Sequence, residues 1–89
     1  MISYQECLDL CGLTEEEAEI LAEHENIPVM LAMELGATLL QTPKGTYRLR
    51  CCIQDALERA ELAGRRDRAK HIDRILLRFN QAHPVPRVL

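Results

Sequence analysis

Aromatic residues are scarce in this chain: no tryptophan, one phenylalanine and two tyrosines among 89 residues. Aromatic and β-branched residues favour strands, whereas the apolar content here comes mainly from Leu, Ala and Ile, so a strand-rich fold is disfavoured. The same scarcity removes the stacking platforms that single-stranded nucleic acid requires. Lys and Arg are missing altogether from residues 1–43. A secretory leader with a basic start is therefore not expected. The longest apolar run, residues 27–40, is broken by Glu34. It is too short and too charged for a membrane span of about 20 residues. These absences make a cytosolic setting the expectation. With four glycines there is no Gly-rich phosphate loop either.

What is present points to one small domain. The hydrophobic share is 47%, ordinary for a folded protein, and a chain of this length buries one core without staples. The net charge of −3 hides an asymmetry. Residues 1–43 hold nine acids and no Lys or Arg, whereas residues 44–89 hold five acids and all eleven basic residues. The two halves are expected to pack together and neutralise each other. An acidic protein is the alternative partner for the basic half.

The fold expected is all-α, a compact bundle of about five helices over residues 4–11, 15–25, 28–41, 44–63 and 67–82. Residues 1–82 form the single domain, and 83–89 an extended tail set by Pro84 and Pro86. Ser3 and Gly12 bracket the first helix. Thr14 with Glu17 is a capping box for the second, with Leu13 and Ala18 at staple positions. Asn26 stops it. Pro28 opens the third, Thr42-Pro43 separates it from the fourth, Gly64 closes the fourth and Asp67 opens the fifth. Leu49, Cys52, Ile53, Ala56, Leu57 and Ala60 make one inward stripe. Ala69, Ile72, Ile75, Leu76 and Phe79 make another. Asp55/Arg59 and Glu61/Arg65 have the spacing of helical ion pairs.

Four stretches carry a resemblance: Leu13-Thr14-Glu15-Glu16-Glu17, Ala22-Glu23-His24-Glu25-Asn26-Ile27-Pro28, Glu34-Leu35-Gly36, and Leu39 to Gly45. Over residues 13–45 the chain resembles small all-helical bacterial proteins of unknown function. The resemblance implies a bacterial source and no activity.

Four groups of residues invite a functional reading. Cys7 and Cys11 share one helix face, but Cys51 and Cys52 are adjacent on a helix and converge poorly for a tetrahedral site, so the four read as buried thiols, with a metal or redox role as the alternative. Glu23, His24 and Glu25 place two acids at the negative end of a helix. With Glu34 they are the candidate metal set, although no resident cofactor is expected. Arg66, Lys70, Arg74 and Arg78 lie on the last helix and are the candidates for an anionic partner. Nucleic acid is disfavoured, because the helix that would enter a groove offers only Glu34 and Gln41. Finally, Val29, Met33, Ala37 and Leu40 form a ridge opposite Leu31, Leu35 and Leu39. Ala32 and Gly36 lie between, small enough for close approach of another helix. A surface helix needs one apolar stripe. Two ridges predict a homo-oligomer, a two-fold dimer built on Val29, Met33, Ala37 and Leu40. No nucleophile–base pair or metal quartet emerges, so the expected function is a helical interaction protein that self-associates, not an enzyme. A metal- or thiol-responsive protein is the second reading, and an anionic-ligand binder the third.

Overall fold

Thr14 caps the first of the described helices. Its Oγ1 accepts from the Glu17 N–H at 3.1 Å, and Glu17 Oε1 accepts from the Thr14 N–H at 3.0 Å. The computed structural model of the chain describes residues 13–84. The helix expected over 4–11, Cys7 and Cys11, and the tail beyond Pro84 lie outside the described residues. Within them are four helices and no strand: α1 (Glu15–Glu25), α2 (Val29–Leu39), α3 (Pro43–Leu62) and α4 (Arg66–Ala82). The Cα radius of gyration is 13.0 Å, as compact as a folded chain of roughly 100 residues. None of the described helices is long and apolar enough to cross a membrane.

The punctuation residues act through specific hydrogen bonds. Asn26 takes the left-handed conformation (φ 55°), and the Ile27 N–H reaches back to the Ala22 carbonyl at 3.0 Å. Gly64 does the same for α3 (φ 72°), with the Arg65 N–H on the Ala60 carbonyl at 2.9 Å. Both closures satisfy carbonyls that a helix end leaves open. Thr42 Oγ1 caps α3 by accepting from the Gly45 N–H at 3.0 Å, and Pro43 occupies the first turn. The third predicted helix is shorter than its pattern. Pro28 is the cap (ψ 151°), not the first turn, and regular helix ends at Leu39 because Thr42 must cap α3. Asp67 lies in the first turn of α4, which has no side-chain cap.

Each predicted stripe of the second half faces inward. Leu49, Cys52, Ile53 and Ala60 of α3 and Ile72, Ile75 and Phe79 of α4 are buried, joined by Leu13, Ile20, Leu21 and Ala22 from the α1 region and Ala32 from α2. α3 is the central element: α4 packs along it, and α1 and α2 pack on each other and on α3. Asp55 and Arg59 pair at 3.1 Å along α3. Glu61 and Arg65 form no ion pair among the described residues, because the turn at Gly64 takes Arg65 off the helix. Leu13 is not half of a staple with Ala18. It crosses to α2, where a Cβ on Gly36 would come within 2.0 Å of Leu13 Cδ1. Ala18 packs instead with Met33 and Val29.

Candidate functional site

The conflict at the end of α1 is resolved by residues distant in sequence. Glu23 pairs with Arg68 of α4. His24 sits between two carboxylates, its Nε2 3.2 Å from Asp55 Oδ2 and its Nδ1 3.4 Å from Glu25 Oε1. At the other end of α1, Glu16 approaches His71 (3.2 Å) and Arg78 (3.9 Å). The acidic and basic halves thus meet within the chain, through long side chains linking α1 to α4. The candidate metal set does not assemble. Glu34 lies on the exposed side of α2 with Met30 and Thr38, away from His24, and among the described residues no three His, Cys, Asp or Glu side chains are placed to hold a metal ion.

The two described thiols differ in burial, and only Cys52 matches the expected buried thiol. Cys51 and Cys52 are free, with Cys51 half-buried and Cys52 buried. Burial, followed by the nearby Glu25 and Asp55 charges, pushes the Cys52 thiol up to about 12. At neutral pH it is therefore a packing group and a poor nucleophile. Tyr47, exposed one turn before Cys51, has its phenol pushed up by a hydrogen bond to that thiol.

Of the ridge assigned to a dimer, only Met33 is turned fully inward. Met33 is completely buried, Val29, Ala37 and Leu40 are half-buried, and the small residues Ala32 and Gly36 are enclosed in the protomer. Met33 has no surface to offer a partner, because α1 already packs over that side of α2. The other ridge borders a cleft of about 480 Å³ between α1, α2 and α3. Leu21, Leu35, Leu39, Tyr47, Cys51 and Cys52 are its apolar and thiol lining, and Arg48, Glu25, Asp55 and Glu58 its charged residues. Leu31, half-exposed at 50%, continues the ridge one turn before Leu35.

The candidate anionic-partner residues Arg66, Lys70, Arg74 and Arg78 are all exposed, and Arg78 is already directed at Glu16. They follow the outer side of α4, where Leu77 is also exposed. A concave basic site lies elsewhere. Arg59, Arg65 and Arg68 line a cleft of about 320 Å³ between α1, α3 and α4, above Ile20, Ala56, Ala60 and Ala63. Helical periodicity does not reveal this grouping, because the turn at Gly64 separates Arg59 from the other two. The only available signal is their closeness in sequence around a helix stop.

The burial of two polar residues, Arg50 and Glu17, was not legible in the pattern. Arg50 is 7% exposed. Its Nε donates to Asn80 Oδ1 at 2.6 Å, its NH2 donates to the His83 carbonyl, and its guanidinium lies 5.4 Å from the Phe79 ring centre. It ties the end of α4 to the start of α3. Burial raises the Glu17 carboxyl above its ordinary range, opposed by the Thr14 backbone hydrogen bond and the His83 charge. Both are structural, satisfied by hydrogen bonds. No family model, curated protein or solved structure matches the chain, so the resemblance over residues 13–45 assigns it to no family.

Proposed function

We propose that the protein is a small helical interaction module of the cytosol that associates with a second copy of itself. The contact runs through the Leu31, Leu35 and Leu39 edge of α2 and the exposed Tyr47 of α3. One observation carries this reading: Leu35, Leu39 and Tyr47 line the cleft between α1, α2 and α3, and the half-exposed Leu31 lies one turn before Leu35 on the same helix. Apolar surface of this kind marks interaction sites. The cleft lining carries both signs, Arg48 against Glu25, Asp55 and Glu58. A two-fold copy can therefore bring unlike charges together while covering the apolar lining. The free Cys51 and Cys52 suit a reducing compartment.

Sedimentation equilibrium at micromolar protein tests the reading. The expected mass is twice the 10.2 kDa of one chain. A single species near the monomer mass overturns it. Leu31→Glu with Leu35→Glu should release helical monomers, while Leu77→Glu on the outer side of α4 should leave the dimer intact.

A further inference from the structure

We infer that the arginine-lined cleft between α1, α3 and α4 binds a small organic phosphate monoester. Three arginines line it from different segments: Arg59 from the last turns of α3, Arg65 from the connecting turn and Arg68 from the first turn of α4. They come together because Gly64, in the left-handed conformation, folds the chain back tightly enough for the Arg65 N–H to meet the Ala60 carbonyl. Two of the three are braced from the side. Glu23 holds Arg68, and Asp55, itself in contact with His24, holds Arg59. Arg65 enters no ion pair among the described residues. Glu23 is the one carboxylate among the lining residues, so cations outnumber acids there although the whole chain is acidic.

The shape sets the ligand class. Guanidinium forks suit phosphate oxygens, and several forks around one point suit a tetrahedral dianion better than a planar carboxylate. Ile20, Ala56, Ala60 and Ala63 give the cleft an apolar side, three of the four being alanines, against which an organic body can rest. About 320 Å³ lies at the lower end of small-molecule sites, roughly 300–1,000 Å³. A nucleic-acid strand fits less well. Arg66, Lys70 and Arg74 follow the outer side of α4, and the cleft lining holds no Phe, Tyr or Trp; its one ring, His24, is already held between Asp55 and Glu25.

The test is a titration of the full chain with phenyl phosphate, followed by amide and arginine side-chain NMR shifts, with inorganic phosphate as a second arm. The expected result is saturable one-to-one binding that moves the signals of Arg65, Arg68, Ala60 and Ala63, with inorganic phosphate binding more weakly. Arg65→Ala should weaken phenyl phosphate about tenfold, the loss of one charged hydrogen bond. The same charge change at Arg74→Ala should alter affinity less than about twofold, since the outer side of α4 is too far from the ligand to contact it. Arg65 is exposed and uses only backbone groups in the turn, so circular dichroism should show both variants folded. Absence of saturation overturns the site. Equal weakening by the two variants also overturns it, showing only diffuse attraction to a basic surface. Equal affinity for inorganic phosphate overturns the role given to the apolar side of the cleft.

Discussion

α2 and α4 have opposite kinds of sequence, and they were legible to opposite degrees. α4 is strongly one-sided: Ile72, Ile75 and Phe79 turn inward, and Arg66, Lys70 and Arg74 face water. Only one rotation of such a helix about its axis buries its apolar residues, so the pattern decides the orientation. α2 is apolar around most of its circumference. Several rotations bury similar apolar area, and periodicity does not choose among them. The structure selects the one that encloses Ala32, Met33 and Gly36 and leaves Met30 and Leu31 outside. A helix can thus be too apolar to be read, as well as too polar.

The strongest test of this comparison exchanges the two sides of α2. Met33→Ala removes a fully buried side chain and should cost about 2–5 kcal/mol in denaturant unfolding. Leu31→Ala, measured below the concentration of association, should stay within about 0.5 kcal/mol. Similar losses at both positions would mean that α2 is rotated from the placement described.

A second test concerns how closely α2 meets α3. A Cβ on Gly45 would fall 2.0 Å from the Leu39 carbonyl oxygen, a backbone atom that cannot swing aside. Gly45→Ala should therefore cost about 1–3 kcal/mol through forced displacement, seen as a lower thermal midpoint. Gly64→Ala meets no neighbouring atom and carries only the backbone cost of its φ of 72°, about 1 kcal/mol. A larger loss at Gly64 than at Gly45 would locate the tight packing on the α4 side instead.

Chemical labelling separates the stripe of α3 from its flank. Cys52 should react with thiol reagents far more slowly than Cys51 in native buffer, because it is buried and its thiol is pushed up to about 12. Equal rates at the two would show that α3 does not present that stripe to the core.

The smallest effects are expected at the charged surfaces. Glu17 has a folded carboxyl pKa above its ordinary value, mainly because it is buried. The folded state therefore holds this proton more tightly than the unfolded chain, and stability falls as pH rises through the folded pKa. Glu17→Gln keeps the reciprocal cap with Thr14 and removes the ionisation. It should raise the midpoint at neutral pH and change little below the carboxylate range. A lower midpoint at neutral pH would show that the charge itself supports α1. Added salt should lower stability by no more than about 1 kcal/mol, since Glu23–Arg68 and Glu16–Arg78 are solvent-exposed pairs. A rise with salt would instead show that like-charge repulsion dominates the surface.

Sequence alone placed the ends of the described helices to within a few residues, those of α2 least closely, and determined which sides of α3 and α4 turn inward. Thr14 with Glu17, Asn26, Thr42 with Pro43, and Gly64 all act within about five residues of chain, so their hydrogen bonds are implicit in local order. Tertiary structure alone decided the rotation of α2, the crossing of Leu13 to Gly36, the pairing of Glu23 with Arg68, the burial of Arg50 beneath the end of α4, and the meeting of Arg59, Arg65 and Arg68 around one cleft. Most of these link residues far apart in the chain, and all of them depend on how whole helices are positioned against one another. That positioning is set by the summed packing of every element at once, a quantity that no local pattern contains.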